Sequence, residues 1–182
     1  MTITYRGMVG SWRTLGTGAT PQNLFTIENQ AASPVIVRIT RLVVQMDATA
    51  VLVSVMPQVK VSRATGLPSG GTATNKTPFD TAMSSNAKVV ARSGTASDGG
   101  VATAITATAG DVMWQQYCMR MHTVVGQVLS PDNNALPSLI EGQPVLLRAG
   151  ESLLVQIVAS AGGSNPATNH WFVNAAWEED TP

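Results

Sequence analysis

Short runs of β-branched residues, separated by glycine and proline turns, recur along most of this chain of 182 residues. The longest run, residues 35–46, is dense in valine and isoleucine, which favours a strand over a helix of that length. Residues 144–159 give a strand–turn–strand pattern, and residues 170–177 alternate between two faces, with Trp171 and Trp177 on the same one. Almost no helical periodicity interrupts this series, so the sequence predicts an all-β fold of antiparallel strands.

The preferred architecture is an antiparallel β-sandwich with a jelly-roll-like topology, because nearly every predicted strand is apolar on at least one face. A barrel is also compatible with the pattern, and an immunoglobulin-like topology stays open although its Cys…Trp…Cys pattern is absent. The length fits a single domain over residues 1–182.

Two segments depart from this regular pattern. Residues 1–23 mix apolar residues with a turn-rich stretch, which predicts an N-terminal arm or an edge strand. Residues 64–110 form a long insertion in which 31 of 47 residues are Ala, Thr, Ser or Gly. Within it, residues 87–92 are a short strand candidate and residues 78–83 a short helix candidate. Because the insertion has little bulk for a core of its own, we expect a loop-rich region that orders against a neighbouring subunit.

The chain is also poor in charge. Charged residues make up 12 % of it, and 11 basic side chains balance 11 acidic ones, whereas about a quarter is usual for a soluble domain. A largely uncharged polar surface has little self-repulsion, so we expect the working state to be an assembly. The basic residues form no cluster, and nucleic acid is therefore not expected as a partner.

No membrane segment is predicted, because Arg38 and Arg41 interrupt the longest apolar stretch. The first residues lack the apolar core of a signal peptide, so we expect a protein that is made and used without secretion through its own signal. The single cysteine, Cys118, excludes an internal disulfide framework and a cysteine-based zinc site. It is interpreted as a buried, inert thiol.

Sequence motifs of catalysis are missing. No nucleophile elbow, phosphate-binding loop or dinucleotide fingerprint occurs. The two histidines, His122 and His170, are not spaced as metal ligands, and a structural role is favoured for each. We therefore predict a protein that is not an enzyme and uses no cofactor or metal. A site assembled across subunits, with His122, His170 or Cys118 contributing, is the alternative.

Aromatic residues are the candidates for contacts between subunits, because aromatic side chains dominate the energetics of interfaces. Trp171 and Trp177 are predicted to lie in the core. Trp12, on the turn-rich arm, is the first candidate anchor, and Tyr5 and Phe79 are the other two. Exposed tryptophans would instead suggest a carbohydrate-binding β-sandwich module, which is a second hypothesis from a different functional class.

In style, the chain resembles virion structural proteins of tailed bacteriophages, which are small, charge-poor and rich in Ala, Thr, Val and Gly. Residues 22–29 (QNLFTIEN), 45–50 (QMDATA) and 164–170 (SNPATNH) have the look of small phage head proteins. The resemblance covers the whole chain loosely and offers no site motif, so it transfers no functional residue.

The resemblance implies a capsid cement or decoration protein that clamps neighbouring major capsid subunits as a homo-oligomer, with a trimer as the expected form. The expected partners are then copies of the chain itself and the major capsid protein, and the expected location is the virion, assembled in the host bacterial cytoplasm. The N-terminal arm and the insertion would be the segments that extend to the neighbouring capsid subunits. A tail, baseplate or head–tail connector component is the alternative within the same class.

Overall fold

A computed structural model describes residues 2–8, 13–14, 21–48, 58–73, 76–78, 88–94, 105–117, 128–129, 144–158 and 169–180. All regular secondary structure in these residues is β-strand, as the sequence predicts. The strands are β1 (Thr2–Met8), β2 (Arg13–Thr14), β3 (Gln22–Asn29), β4 (Ile36–Ala48), β5 (Gln58–Ala64), β6 (Ser69–Gly70), β7 (Thr72–Ala73), β8 (Lys76–Pro78), β9 (Val89–Ser93), β10 (Ile105–Thr106), β11 (Ala109–Tyr117), β12 (Val128–Leu129), β13 (Val145–Leu147), β14 (Ser152–Val158) and β15 (Asn169–Asp180).

The strands form two large antiparallel sheets. The seven-stranded sheet has the order β12-β4-β15-β1-β8, with β13 also beside β4 and β2 beside β15. The six-stranded sheet has the order β11-β5-β14-β3-β9-β7. One apolar cluster contains residues of both sheets, among them Phe25 and Val155 of the six-stranded sheet and Leu42 and Val173 of the seven-stranded sheet. The prediction of an antiparallel β-sandwich is therefore confirmed.

The last long strand shows why the alternating pattern was informative. Trp171, Val173, Ala175 and Trp177 of β15 are all buried in the shared core. Side chains of a strand alternate between its two faces, so residues two positions apart share the core side. The predicted core position of Trp171 and Trp177 is confirmed.

The six-stranded sheet is covered in its middle on the outer face as well. Beyond the β5–β11 pair, residues 65–70 and 105–108 form a separate two-stranded ribbon that includes β6 and β10, here named the cover ribbon. The ribbon contacts the sheet through Ser152 Oγ, which donates to the Gly66 carbonyl at 2.9 Å, and through Asn23 Nδ2, which donates to the Ile105 carbonyl at 2.8 Å. Strand β3 is consequently buried on both faces from Leu24 to Asn29.

The first strand differs from a projecting arm or an edge strand. Thr2–Met8 pairs with β15 along its whole length and with β8 on its other side, so it is an inner strand of the seven-stranded sheet. The physical reason is the length of β15, which extends over residues 169–180. One edge of β15 pairs with β4, and its other edge is long enough to pair with the whole of β1. Backbone hydrogen bonds of that edge are satisfied by β1.

Part of the insertion belongs to the sandwich itself. The predicted strand at residues 87–92 is present as β9, which pairs with β3 and contributes Val89 and Ala91 to the core. Pro78, where the helix candidate begins, lies in strand β8, and residues 79–83 of that candidate lie outside the described residues. The ordering of the insertion against a neighbouring subunit stays a prediction.

Candidate functional site

The structure describes one of the three predicted interface anchors. Tyr5 lies in the middle of β1, with its backbone opposite Trp177 on one side and Pro78 on the other. Phe79 directly follows Pro78 but lies outside the described residues, as does Trp12. The roles of these three residues as interface anchors therefore stay predictions.

The candidate residues for chemistry are placed as follows. The backbone of His170 in β15 pairs with Asp47 of β4 and Thr14 of β2. Cys118 and His122 lie outside the described residues. Among the residues that the structure describes, no three histidine, cysteine or acidic side chains are grouped closely enough to hold a metal ion.

A buried carboxylate holds the beginning of β9. Glu179 of β15 is only 4 % exposed, and its carboxylate accepts the backbone N–H groups of Lys88 at 2.9 Å and of Val89 at 3.3 Å. The indole N–H of Trp177 also donates to it, at 3.2 Å. The bonds from Lys88 and Val89 connect the two sheets, because Glu179 belongs to the seven-stranded sheet and Val89 to the six-stranded one. Satisfied hydrogen bonds are what make a buried carboxylate tolerable.

A second buried carboxylate holds the end of the same strand. Glu28 of β3 accepts hydrogen bonds from Arg92 Nε at 2.9 Å and from Thr26 Oγ1 at 2.9 Å, and Gln30 Nε2 lies 3.3 Å from its other oxygen. The strand register explains the geometry, since Arg92 lies opposite Thr26 and therefore on the same face as Glu28. All these partners are protein groups, so Glu28 and Glu179 together position β9.

Sequence reasoning missed both carboxylates. No catalytic or metal-binding motif includes Glu28 or Glu179. One signal for Glu28 was available: it stands two residues after Thr26 in a strand without another charge, a position that shares one face of the strand. Glu179 offered no comparable signal, because its burial depends on amides that are about 90 residues away in sequence.

The opposite side of the sandwich is not covered by the residues that the structure describes. In the described part of the chain, β11 is the last strand of the six-stranded sheet, and β13 has β4 as its only neighbour in the seven-stranded sheet. Between them lies a groove of about 430 Å³, lined by residues that include Arg63, Met113, Leu146 and Arg148. We call this region, bounded by β11, β13 and the turn after β13, the open side.

The turn after β13 fixes one wall of the groove. Gly150 adopts a φ of +81°, a left-handed conformation that glycine reaches without strain, and its N–H donates to the Asn29 carbonyl at 2.9 Å. Glu151 then accepts the backbone N–H of Arg148 at 2.7 Å and the Arg63 guanidinium at 3.1 Å. Arg63 also donates to the Leu146 carbonyl at 3.0 Å, which satisfies one backbone group of the β13 edge.

Large apolar side chains are exposed at the open side. Of the four large hydrophobic residues exposed in the described part of the chain, Met113 and Leu146 line the groove, and Val112 is the neighbour of Met113 on β11. The fourth, Leu67, lies at the start of the cover ribbon. Exposed apolar residues that gather in one place are typical of interaction surfaces, whereas scattered ones need no explanation.

The comparisons with known proteins leave the family open. No family model matches the sequence, and neither curated proteins nor solved structures show a significant match to this chain. The part of the chain that the structure describes contains no helix with the length and hydrophobicity that crossing a membrane requires.

Proposed function

We propose that this chain is a structural protein of a tailed-phage virion, a capsid cement or decoration protein that binds the major capsid lattice as a homo-oligomer. The role is one of assembly and stabilisation, without catalysis or a cofactor. The order of the main strands is the observation that carries the proposal, together with the low charge of the chain.

The strand order supports a jelly roll, which is part of the proposal. Four main strands of one sheet follow the order β1-β15-β4-β13, and four of the other follow the order β3-β14-β5-β11. Along the chain, every connection between these eight strands crosses from one sheet to the other except the connection from β5 to β11. Jelly rolls of eight strands in two sheets are used by viral capsid proteins, lectins and cupins.

Low charge supports assembly over the other uses of a jelly roll. Interfaces of standard size bury on the order of 1,600 Å², and uncharged polar groups can enter them without the desolvation cost of ions. Symmetry in a virion repeats each such contact many times. A carbohydrate-binding module would need exposed tryptophans, but of the three tryptophans in the described residues Trp171 and Trp177 are buried and Trp114 packs against the core.

The mass of the purified protein in solution tests the proposal. Size-exclusion chromatography with light scattering is expected to give a closed homo-oligomer, with threefold symmetry as the form expected of a cement protein. A monomer that persists at high protein concentration would contradict the proposal. Titration with soluble glycans on the same sample would then test the carbohydrate-binding alternative.

A further inference from the structure

We propose that the open side, between β11 and β13, is the surface through which a second copy of this chain binds. The contact is isologous, so the same surface of each copy takes part and a twofold axis relates the two copies. This inference rests on the proposed function because both require the chain to associate with itself. It adds which surface forms the contact and which side chains of the second copy that surface binds.

The apolar part of this surface is the first argument. Met113 and Leu146 are each 37 % exposed and line the same groove, and Val112, the chain neighbour of Met113 in β11, is 45 % exposed. Side chains of this size lose contact with water when a partner covers them, which is the main favourable contribution to association. The neighbouring charges of Arg63 and Glu151 already satisfy each other at 3.1 Å. A partner with an apolar contact region therefore meets no unpaired charge from this ion pair.

The backbone of β11 is the second argument. Within the described residues β11 pairs only with β5, so one row of its N–H and C=O groups faces away from the sheet. Its register is regular from Trp114 to Tyr117, while irregularities between Ala109 and Trp114 disturb the first half. An edge strand of this kind can pair with another chain. The β13 edge is less suited to pairing with another chain, because the Leu146 carbonyl already accepts a hydrogen bond from Arg63.

Charge complementarity selects a second copy as the occupant. Asp111 of β11 and Arg148 of the groove are both exposed, and neither forms an ion pair with the residues that the structure describes. With respect to the described residues, the open side thus carries one acidic side chain without an ion pair, two positions before Met113 in β11, and one such basic side chain in the groove that Met113 lines. Opposite charges on a single surface make that surface complementary to itself when a twofold axis turns one copy onto the other.

The test measures association of purified full-length variants by sedimentation velocity over a range of protein concentrations. Met113→Asp is expected to weaken association about tenfold or more, since truncation of a central apolar contact has effects of this size. Leu67→Asp is the matched control, because Leu67 is 38 % exposed but lies on the cover ribbon. It is expected to leave the association constant unchanged.

Charge reversal tests the polar part of the contact. Arg148→Glu and Asp111→Arg are each expected to weaken association, and the double variant to recover much of the loss. Because both residues are exposed, these variants keep the test valid if Met113→Asp does not fold, and thermal unfolding checks each protein.

The subunit number separates this inference from the proposed function. A twofold contact predicts an even number of subunits: a dimer, or a hexamer if a threefold contact is also present. A trimer, or equal weakening by Met113→Asp and Leu67→Asp, would overturn the twofold contact at the open side and leave the cement role standing. A wild-type protein that stays monomeric would overturn both.

Discussion

Two arginine–glutamate pairs of similar length lie in different parts of the six-stranded sheet. Arg92 and Glu28 are 2.9 Å apart, and their side chains are 28 % and 1 % exposed. Arg63 and Glu151 are 3.1 Å apart, and their side chains are 37 % and 41 % exposed. The first pair joins β9 to β3, on the side of the sandwich where Glu179 connects the two sheets, and the second pair lies in the wall of the groove at the open side.

The difference shows that burial, more than distance, decides what an ion pair does. A carboxylate that has lost its water depends on its protein partners, so Glu28 ties Arg92 and β9 to the sandwich. A solvated pair contributes little to stability, and Arg63 instead satisfies the Leu146 carbonyl of an edge strand. The chain therefore closes one side with buried carboxylates and leaves apolar side chains exposed on the other.

The largest effect is expected when the buried pair is broken. Arg92→Ala leaves the Glu28 carboxylate buried without its cation, and we expect a loss of about 3 kcal/mol in the free energy of unfolding. Arg63→Ala is the matched control and is expected to cost less than about 1 kcal/mol. Urea denaturation measures both, and equal losses would show that the two pairs do not differ as described.

A change at Gly94, directly after β9, is expected to have the next largest effect. A Cβ at this position would overlap the Asn23 carbonyl oxygen, which is backbone and cannot rotate away. Gly94→Ala is therefore expected to destabilise the fold by about 2 kcal/mol. At Gly66 a Cβ meets open space, although its φ of +85° disfavours other residues, so Gly66→Ala should cost about 1 kcal/mol. If Gly66→Ala were the more damaging of the two, β9 would not be held as tightly as its contacts indicate.

The connection between the sheets at Glu179 is expected to contribute less than the buried ion pair. Glu179→Gln replaces one acceptor oxygen by an amide that cannot accept the Lys88 or Val89 N–H, which should cost about 1.5 kcal/mol. Glu178→Gln is the neighbouring control, since Glu178 lies 3.9 Å from Arg38 in a partly exposed pair. Hydrogen exchange of the Lys88 and Val89 amides should accelerate only in the Glu179 variant.

The smallest effect distinguishes two buried serines on the covered face of the six-stranded sheet. Among the residues that the structure describes, Ser62 Oγ has no hydrogen-bond partner, whereas Ser152 Oγ donates to the Gly66 carbonyl of the cover ribbon. Ser62→Ala should therefore be neutral or stabilise by up to about 1 kcal/mol, and Ser152→Ala should destabilise by about 1 kcal/mol. Thermal unfolding of both variants checks the sign, and a destabilised Ser62→Ala would indicate a partner for that hydroxyl.

Local patterns predicted much of the fold and little of the site. The sandwich, the core tryptophans and strand β9 follow from alternation and turn residues, which act over a few positions. The inner position of β1 and the burial of Glu28 and Glu179 depend on contacts between residues far apart in sequence, such as Arg92 with Glu28. The groove is equally nonlocal, because β5, β11 and the turn after β13 form it together.

Glu28 and Glu179, the two carboxylates that hold β9, also constrain the order in which the two ends of this strand can dock during folding. Glu28 precedes Arg92 by 64 residues, whereas Glu179 follows Lys88 by 91 residues. During synthesis, the Arg92 end of β9 can dock as soon as β3 is available, but the Lys88 end has no acceptor until residue 179 has left the ribosome. Contacts between distant residues form slowly, so we expect the Lys88 end of β9 to be secured after the Arg92 end, and a truncated chain that lacks Glu179 to leave the beginning of β9 unsecured.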